Sequence, residues 1–151
     1  DGAVRYRQFT QYGLTEIVNR PLGRDYSAYV YLQSHTKDHL HLPQIKESFV
    51  DYVREQLQLN IQPETSILIG FTPQNELDVH IADENFNRNN LIFFDGLGNL
   101  SSRQVPGGGF IIFNISEGLQ EVILQDKKTD RSFSSVFYSR PSVLFVSHFA
   151  E

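Results

Sequence analysis

Short apolar stretches, some alternating with polar residues and some continuous, recur along this chain between polar turns, the signature of strands. Tyr26–Gln33 alternates cleanly and reads as a strand, and Ser66–Phe71, Glu76–Ala82, Leu91–Phe94 (a short buried one), Ser132–Tyr138 and Val143–Phe149 read as strands beside it. One stretch breaks the rule: Ile45, Phe49, Val53 and Leu57 fall at intervals of four, with Lys46, Glu47, Asp51, Arg54 and Glu55 off that line. That spacing predicts an amphipathic helix, opened by Pro43 and ending near Leu59-Asn60.

The run from Gly107 to Leu124 organises the rest. Glycines open it, Phe110-Ile111-Ile112-Phe113 follows, and Asn114-Ile115-Ser116-Glu117-Gly118 closes it before a second apolar strand, Leu119–Leu124. Period two puts Phe110 and Ile112 on one face and Ile111 and Phe113 on the other. Two apolar faces predict a central strand covered on both sides, on one of them by the Ile45–Leu57 helix. The following turn is expected to make this strand one half of a hairpin, with Asn114 satisfying turn backbone groups and Gly118 in a left-handed conformation. Thr72-Pro73-Gln74-Asn75 reads as a second hairpin turn, and Pro141 separates the two strands that complete the sheet.

The fold class expected is mainly β with one helix (α+β): a β-sandwich of transthyretin or Ig-like type with the helix packed on it. Composition shifts near Pro63, dividing a helix-containing front part (1–62) from a β-sandwich part (63–151). A single domain over 1–151 is the expectation, because about 60 residues alone make a marginal core.

From Leu91 onward, Phe94-Asp95-x-x-Gly98 and Gly109-Phe110-x-Ile112-x-Asn114-Ile115-x-x-Gly118, then Val122, resemble the carboxypeptidase-regulatory-like domains, which are transthyretin-like sandwiches common in exported bacterial proteins. The resemblance covers roughly the last 60 residues; Ser116-Glu117 stand where that family usually carries a proline. It implies a non-catalytic packing or recognition module set among other domains.

Composition narrows the chemistry. Of 151 residues, 40% are hydrophobic and 21% charged, which suits a packed core. Twelve Phe and seven Tyr must be largely buried or half-buried. The net charge is −5 and basic residues cluster no further than Lys127-Lys128, unlike a nucleic-acid binder. Absence of cysteine excludes disulfides, thiolate metal sites and a cysteine nucleophile, and fits an exported bacterial protein of the periplasm or cell surface. Methionine is also absent, so Asp1 reads as a processed or cloned start, and no apolar run is long enough for a transmembrane helix.

Candidate chemistry is sparse. His35, His39 and His41, with Asp38 nearby, form a cluster able to hold zinc or copper, against the plainer reading of solvated loop histidines. Asp83, Asn85 and Asn87 have the alternate spacing of oxygen ligands, but Arg88 and Phe94 stand where an EF-hand needs Gly and Glu, leaving a looser calcium loop or a polar connection with local turns. Gly107-Gly108-Gly109 lacks the helix and Lys-Ser/Thr of a phosphate loop. No Gly-x-Ser-x-Gly elbow is present. His80 and His148 sit within strands and read as hydrogen-bonded structural residues. Tyr26, Tyr29 and Tyr31 offer rings for stacking a sugar or a protein partner.

These readings converge on a non-catalytic exported module that needs no cofactor. It would bind a protein partner or position neighbouring domains, using an edge strand such as Val143–Phe149 or aromatic loops. The alternatives are a carbohydrate- or metal-binding module using Tyr26–His41 and a small hydrolase with scattered residues.

Overall fold

The computed structural model describes residues 3–9, 14–20 and 28–34 as backbone, and residues 45–72 and 76–149 with side chains, His148 as backbone. In chain order the described elements are β1 (Ala3–Phe9), β2 (Leu14–Arg20), β3 (Ala28–Ser34), α1 (Glu47–Gln56), β4 (Ser66–Phe71), β5 (Leu77–Ile81), β6 (Leu91–Phe94), β7 (Leu100–Ser101), β8 (Gly109–Ile115), β9 (Gly118–Asp126), β10 (Ser132–Ser139) and β11 (Val143–His148). They build a mainly β structure of two sheets and one α-helix. The larger sheet runs β1-β2-β3-β11-β4-β8-β6-β7, and the smaller runs β10-β9-β5. Every pairing is antiparallel except those of β11, which is parallel to both β3 and β4.

The two-faced pattern of β8 has the predicted consequence. Phe110 and Ile112 enter a core with Leu68, Phe93, Val122, Leu124, Phe137 and Phe145, between the two sheets. Ile111 and Phe113 enter a second core with Val50, Val53, Ile67, Ile69, Leu144 and Val146, beneath α1. The order of layers is therefore helix, large sheet, small sheet. Each large apolar side chain so buried contributes roughly 1.5–3 kcal/mol before the cost of ordering the chain.

The helix is shorter than the periodicity suggests. Pro43 lies outside the described residues, and α1 starts at Glu47 after an extended Lys46. It stops at Gln56 because Gln58 turns left-handed (φ 52°). The Leu59 N–H then bonds back to the Arg54 carbonyl and the Gln58 N–H to that of Glu55, the paired closure of a Schellman cap. Val50 and Val53 form its buried stripe, with Ile45, Phe49 and Leu57 half-buried beside them.

Three expectations about strand pairing are corrected. β4 and β5 do not form a hairpin across Thr72, because β4 already has β11 on one edge and β8 on the other, so the chain crosses to the small sheet. The same holds for β8 and β9: β4 and β6 occupy both edges of β8, and Ser116-Glu117 carries the chain around a corner between sheets. β10 and β11 likewise fall in different sheets. Consequently Val143–His148 is interior, not an edge strand available for docking.

The corner after β8 depends on two unusual backbone positions. Asn114 takes φ 57° where β8 carries one extra residue against β4, and Gly118 takes φ 130°. Instead of serving its own turn, Asn114 accepts from the Gln62 N–H at 2.9 Å and donates to the Asn60 carbonyl at 3.1 Å, pinning the connection between α1 and β4. A buried Ser66–Ser139 hydroxyl contact of 2.7 Å joins the sheets nearby.

Two substitutions separate packing from backbone effects. Phe113→Ala removes a fully buried ring and is expected to cost about 3–5 kcal/mol. Gly118→Ala meets no atom within 4 Å yet should cost about 1–3 kcal/mol, because φ there excludes a side chain. Urea denaturation midpoints measure both, and a neutral Gly118→Ala would show that this corner tolerates ordinary residues.

Candidate interaction surface

Two regions outside the cores offer distinctive chemistry. The first is a cleft of about 280 Å³ between the start of α1 and the end of the large sheet. Its wall is aromatic: Phe94 meets Phe49 edge-on at 5.3 Å and Phe71 at 5.9 Å between ring centroids. Lys46 and Asp95 lie at its rim. The Asp95 carboxylate is committed to its own turn: Oδ1 accepts from the Leu97 N–H at 2.8 Å and the Asn99 N–H at 2.9 Å, and Oδ2 from the Asn99 side-chain amide at 2.8 Å. Those bonds hold its carboxyl below the usual value, the Asn99 side chain contributing most, then the Asn99 N–H, then partial desolvation in opposition and the Leu97 and Gly98 amides. Among the described residues the lining contains no hydroxyl, thiol or imidazole. Chemically the cleft is an apolar recess with one ammonium at its edge.

The second region is the small sheet, whose two edges differ. In β5 the even-numbered residues bond to β9, as the Ala82 N–H to Glu121 bond of 2.8 Å continues, so Leu77, Val79 and Ile81 direct backbone groups outward. Side chains close that edge. The Leu77 N–H donates to Gln104 Oε1 at 3.2 Å, and the Arg88 guanidinium, 6.0 Å from the Phe93 ring centroid, donates to the Val79 carbonyl at 3.3 Å. Lys127 adds ion pairs to Asp78 at 3.2 Å and Glu76 at 3.6 Å.

Strand β10 is the opposite case. The Asp126 N–H to Arg131 bond of 2.8 Å sets the ladder phase, so Phe133, Ser135, Phe137 and Ser139 bond to β9. The backbone groups of Ser132, Ser134, Val136 and Tyr138 face the other way, with no partner among the described residues. Pairing with β9 runs unbroken from Ser132–Gln125 to Ser139–Gly118. The strand carries no charge, proline or bulge, the usual guards of an edge. On its outer face Tyr138 (52% exposed) stands directly across from Leu119 (73% exposed).

The residues singled out from sequence fall elsewhere. Tyr26, His35, His39 and His41 lie outside the described residues. Tyr29 and Tyr31 are on β3, in register with Leu144 and Val146 of β11. Asp83, Asn85 and Asn87 act as local turn formers: Asp83 accepts from the Asn85 and Ser116 N–H groups, both at 2.9 Å, and Asn87 from the Asn89 N–H at 2.9 Å. Asn85 donates to the Ser116 hydroxyl at 3.2 Å. Among the described residues no three His, Cys, Asp or Glu side chains gather as a metal site. His80 is exposed on the outer face of β5, not held as a structural histidine. No described helix is long and apolar enough to cross a membrane.

Pairwise logic missed Leu119 and Tyr138, which are 19 positions apart; the signal available was that Leu119 is out of phase with Val122 and Leu124. No protein-family model, curated protein or solved structure matches the chain.

The Asp95 turn carries a pH prediction. With its folded pKa depressed, its contribution is present above the unfolded value and fades as pH falls through the folded one. The Leu97 and Asn99 amide resonances should shift together on acidification, and Asp95→Asn should remove that step. A step surviving in Asp95→Asn would assign it to another group.

Proposed function

We propose that this chain is a non-catalytic interaction module, of the kind found in exported bacterial proteins, which binds a protein partner through the open side of its small sheet. The observation carrying this reading is the asymmetry of that sheet: one edge is closed by Gln104 and Arg88, while the other has no partner among the described residues and lies beside an exposed Leu119–Tyr138 pair. Aromatic and aliphatic groups at such a site supply apolar contact with little side-chain entropy to lose. The finer reading of the two sheets as a transthyretin-like sandwich rests on the segment from Gly109 to Gly118. Its Asn114 and Gly118 hold the positive-φ corner that sends the chain from one sheet to the other.

Affinity capture from a native extract tests the reading. The wild-type chain is expected to retain a protein that Leu119→Ala/Tyr138→Ala loses, while Leu97→Ala, 89% exposed on a distant turn, retains it. Both variants change exposed side chains, so stability should move by no more than about 0.5 kcal/mol per site. Equal recovery by wild type and the double variant would overturn the assignment of this face.

A further inference from the structure

We infer that the Asp95-Gly96 bond is a latent isoaspartate site, held shut by the hydrogen bonds that the Asp95 carboxylate accepts inside its own turn. The sequence supplies the susceptibility. Glycine places no side chain beside its amide nitrogen, so in an Asp-Gly pair that nitrogen reaches the preceding carboxyl carbon with least hindrance. The pair occurs at Asp1-Gly2 and at Asp95-Gly96, and only the second lies among the described residues. Packing gives it no shelter. Gly96 is exposed, and a Cβ built on it would meet nothing nearer than the Gly107 carbonyl oxygen at 3.9 Å. Water reaches the bond, so its protection has to come from the turn.

In the reaction the Gly96 nitrogen attacks Asp95 Cγ. The amide proton and the hydroxyl of the protonated carboxyl leave as water, and the new N–Cγ bond closes a five-membered succinimide. Water then adds at either carbonyl. Opening at Cγ restores aspartate; opening at the backbone carbonyl carbon leaves the chain running through Cγ, one methylene longer. One water leaves and one returns, with no redox change and no change of mass. The turn opposes the first step twice. Oδ1 accepts from the Leu97 N–H at 2.8 Å and the Asn99 N–H at 2.9 Å, and Oδ2 from the Asn99 side-chain amide at 2.8 Å, so loss of either oxygen as water forfeits bonds. These donors also favour the ionised carboxylate, which has no hydroxyl to expel. The backbone is clamped as well: the Asp95 N–H donates to the Asn99 carbonyl and the Gly98 N–H to the Asp95 carbonyl, both at 3.0 Å. Asn99 takes part in three of these five bonds, and its side-chain amide is the one donor that substitution removes without touching the backbone. Asp95 and Gly96 line the aromatic cleft, so the longer backbone would reshape its rim.

The full chain is aged near neutral pH, and peptide mapping with electron-transfer fragmentation counts isoaspartate at position 95 separately from position 1. Folded wild type is expected to form it at least about tenfold more slowly than the same chain in urea, and folded Asn99→Ala about tenfold faster than folded wild type, the factor that one hydrogen bond to a charged group supplies. Asn99→Asp, which lacks the amide donor and sets a second carboxylate beside the first, should accelerate the reaction too. Gly96→Ala, for which space and backbone both admit a methyl group, should suppress it in every background. Slow hydrogen exchange at the Ile111 and Ile112 amides of central β8 shows that the acceleration occurs in the folded molecule. Equal rates in folded and urea-unfolded wild type would overturn the inference, as would Asn99 variants that age like wild type or an unfolded chain without isoaspartate at position 95. Acceleration that comes only with lost protection at Ile111 and Ile112 in both Asn99 variants would also overturn it, assigning the guard to global stability.

Discussion

A strand that is apolar on both faces has to be covered twice, and the architecture follows from meeting that demand for β8. Phe110 and Ile112 require one cover, Ile111 and Phe113 another, and all four are fully buried. The small sheet supplies the first cover through Val122, Leu124 and Phe137; the helix supplies the second through Val50 and Val53. β11 carries the same double pattern, with Val143 and Phe145 on one side and Leu144 and Val146 on the other. Placing both strands in the interior leaves β4 between them with neither edge free. Close approach is part of the arrangement: a side chain at Gly70 would run into the Phe110 ring, and one at Gly109 into the Phe94 ring, so both positions require glycine.

Filling the central edges determines where the chain goes next. After β4 and β8 no hairpin partner can be accepted, so each following strand must leave the sheet, and β5 and β9 meet each other in the second layer. Satisfying every central strand thus produces a small sheet with two edges of its own. Closing one of them costs little: Gln104 comes from the connection after β7, and Arg88 from the loop before β6, both already near β5. The edge of β10 has no such neighbour among the described residues.

Much of the fold was legible in the residues, because the demands of β8 and α1 are local in period. The four apolar positions after Gly109 announce a twice-covered strand, and Phe49, Val53 and Leu57 announce the helix beside it. What could not be read was pairing. Turn-like residues between strands, as at Ser116-Glu117, look alike whether the chain folds back in the same sheet or turns a corner to another. Only the occupancy of distant edges decides between them. Val143–His148 illustrates the difficulty: its partners β3 and β4 lie far back in the sequence, and parallel pairing leaves no turn signature. The interaction surface was hidden for the same reason, since Leu119 and Tyr138 become neighbours only through the β9–β10 register.

The contrast between the two edges of the small sheet also bears on specificity. An exposed edge in water is satisfied by solvent, so leaving β10 bare costs the monomer almost nothing, whereas covering it with a poorly matched chain strands buried N–H and C=O groups. A matched strand gains about 0.5–1.5 kcal/mol for each well-formed backbone bond, and its side chains decide whether the accompanying apolar contact is realised. Because these bonds are common to any backbone, discrimination must come from the side chains and from shape. A charge or proline on β10 would guard that edge against its own kind, but would also repel a partner.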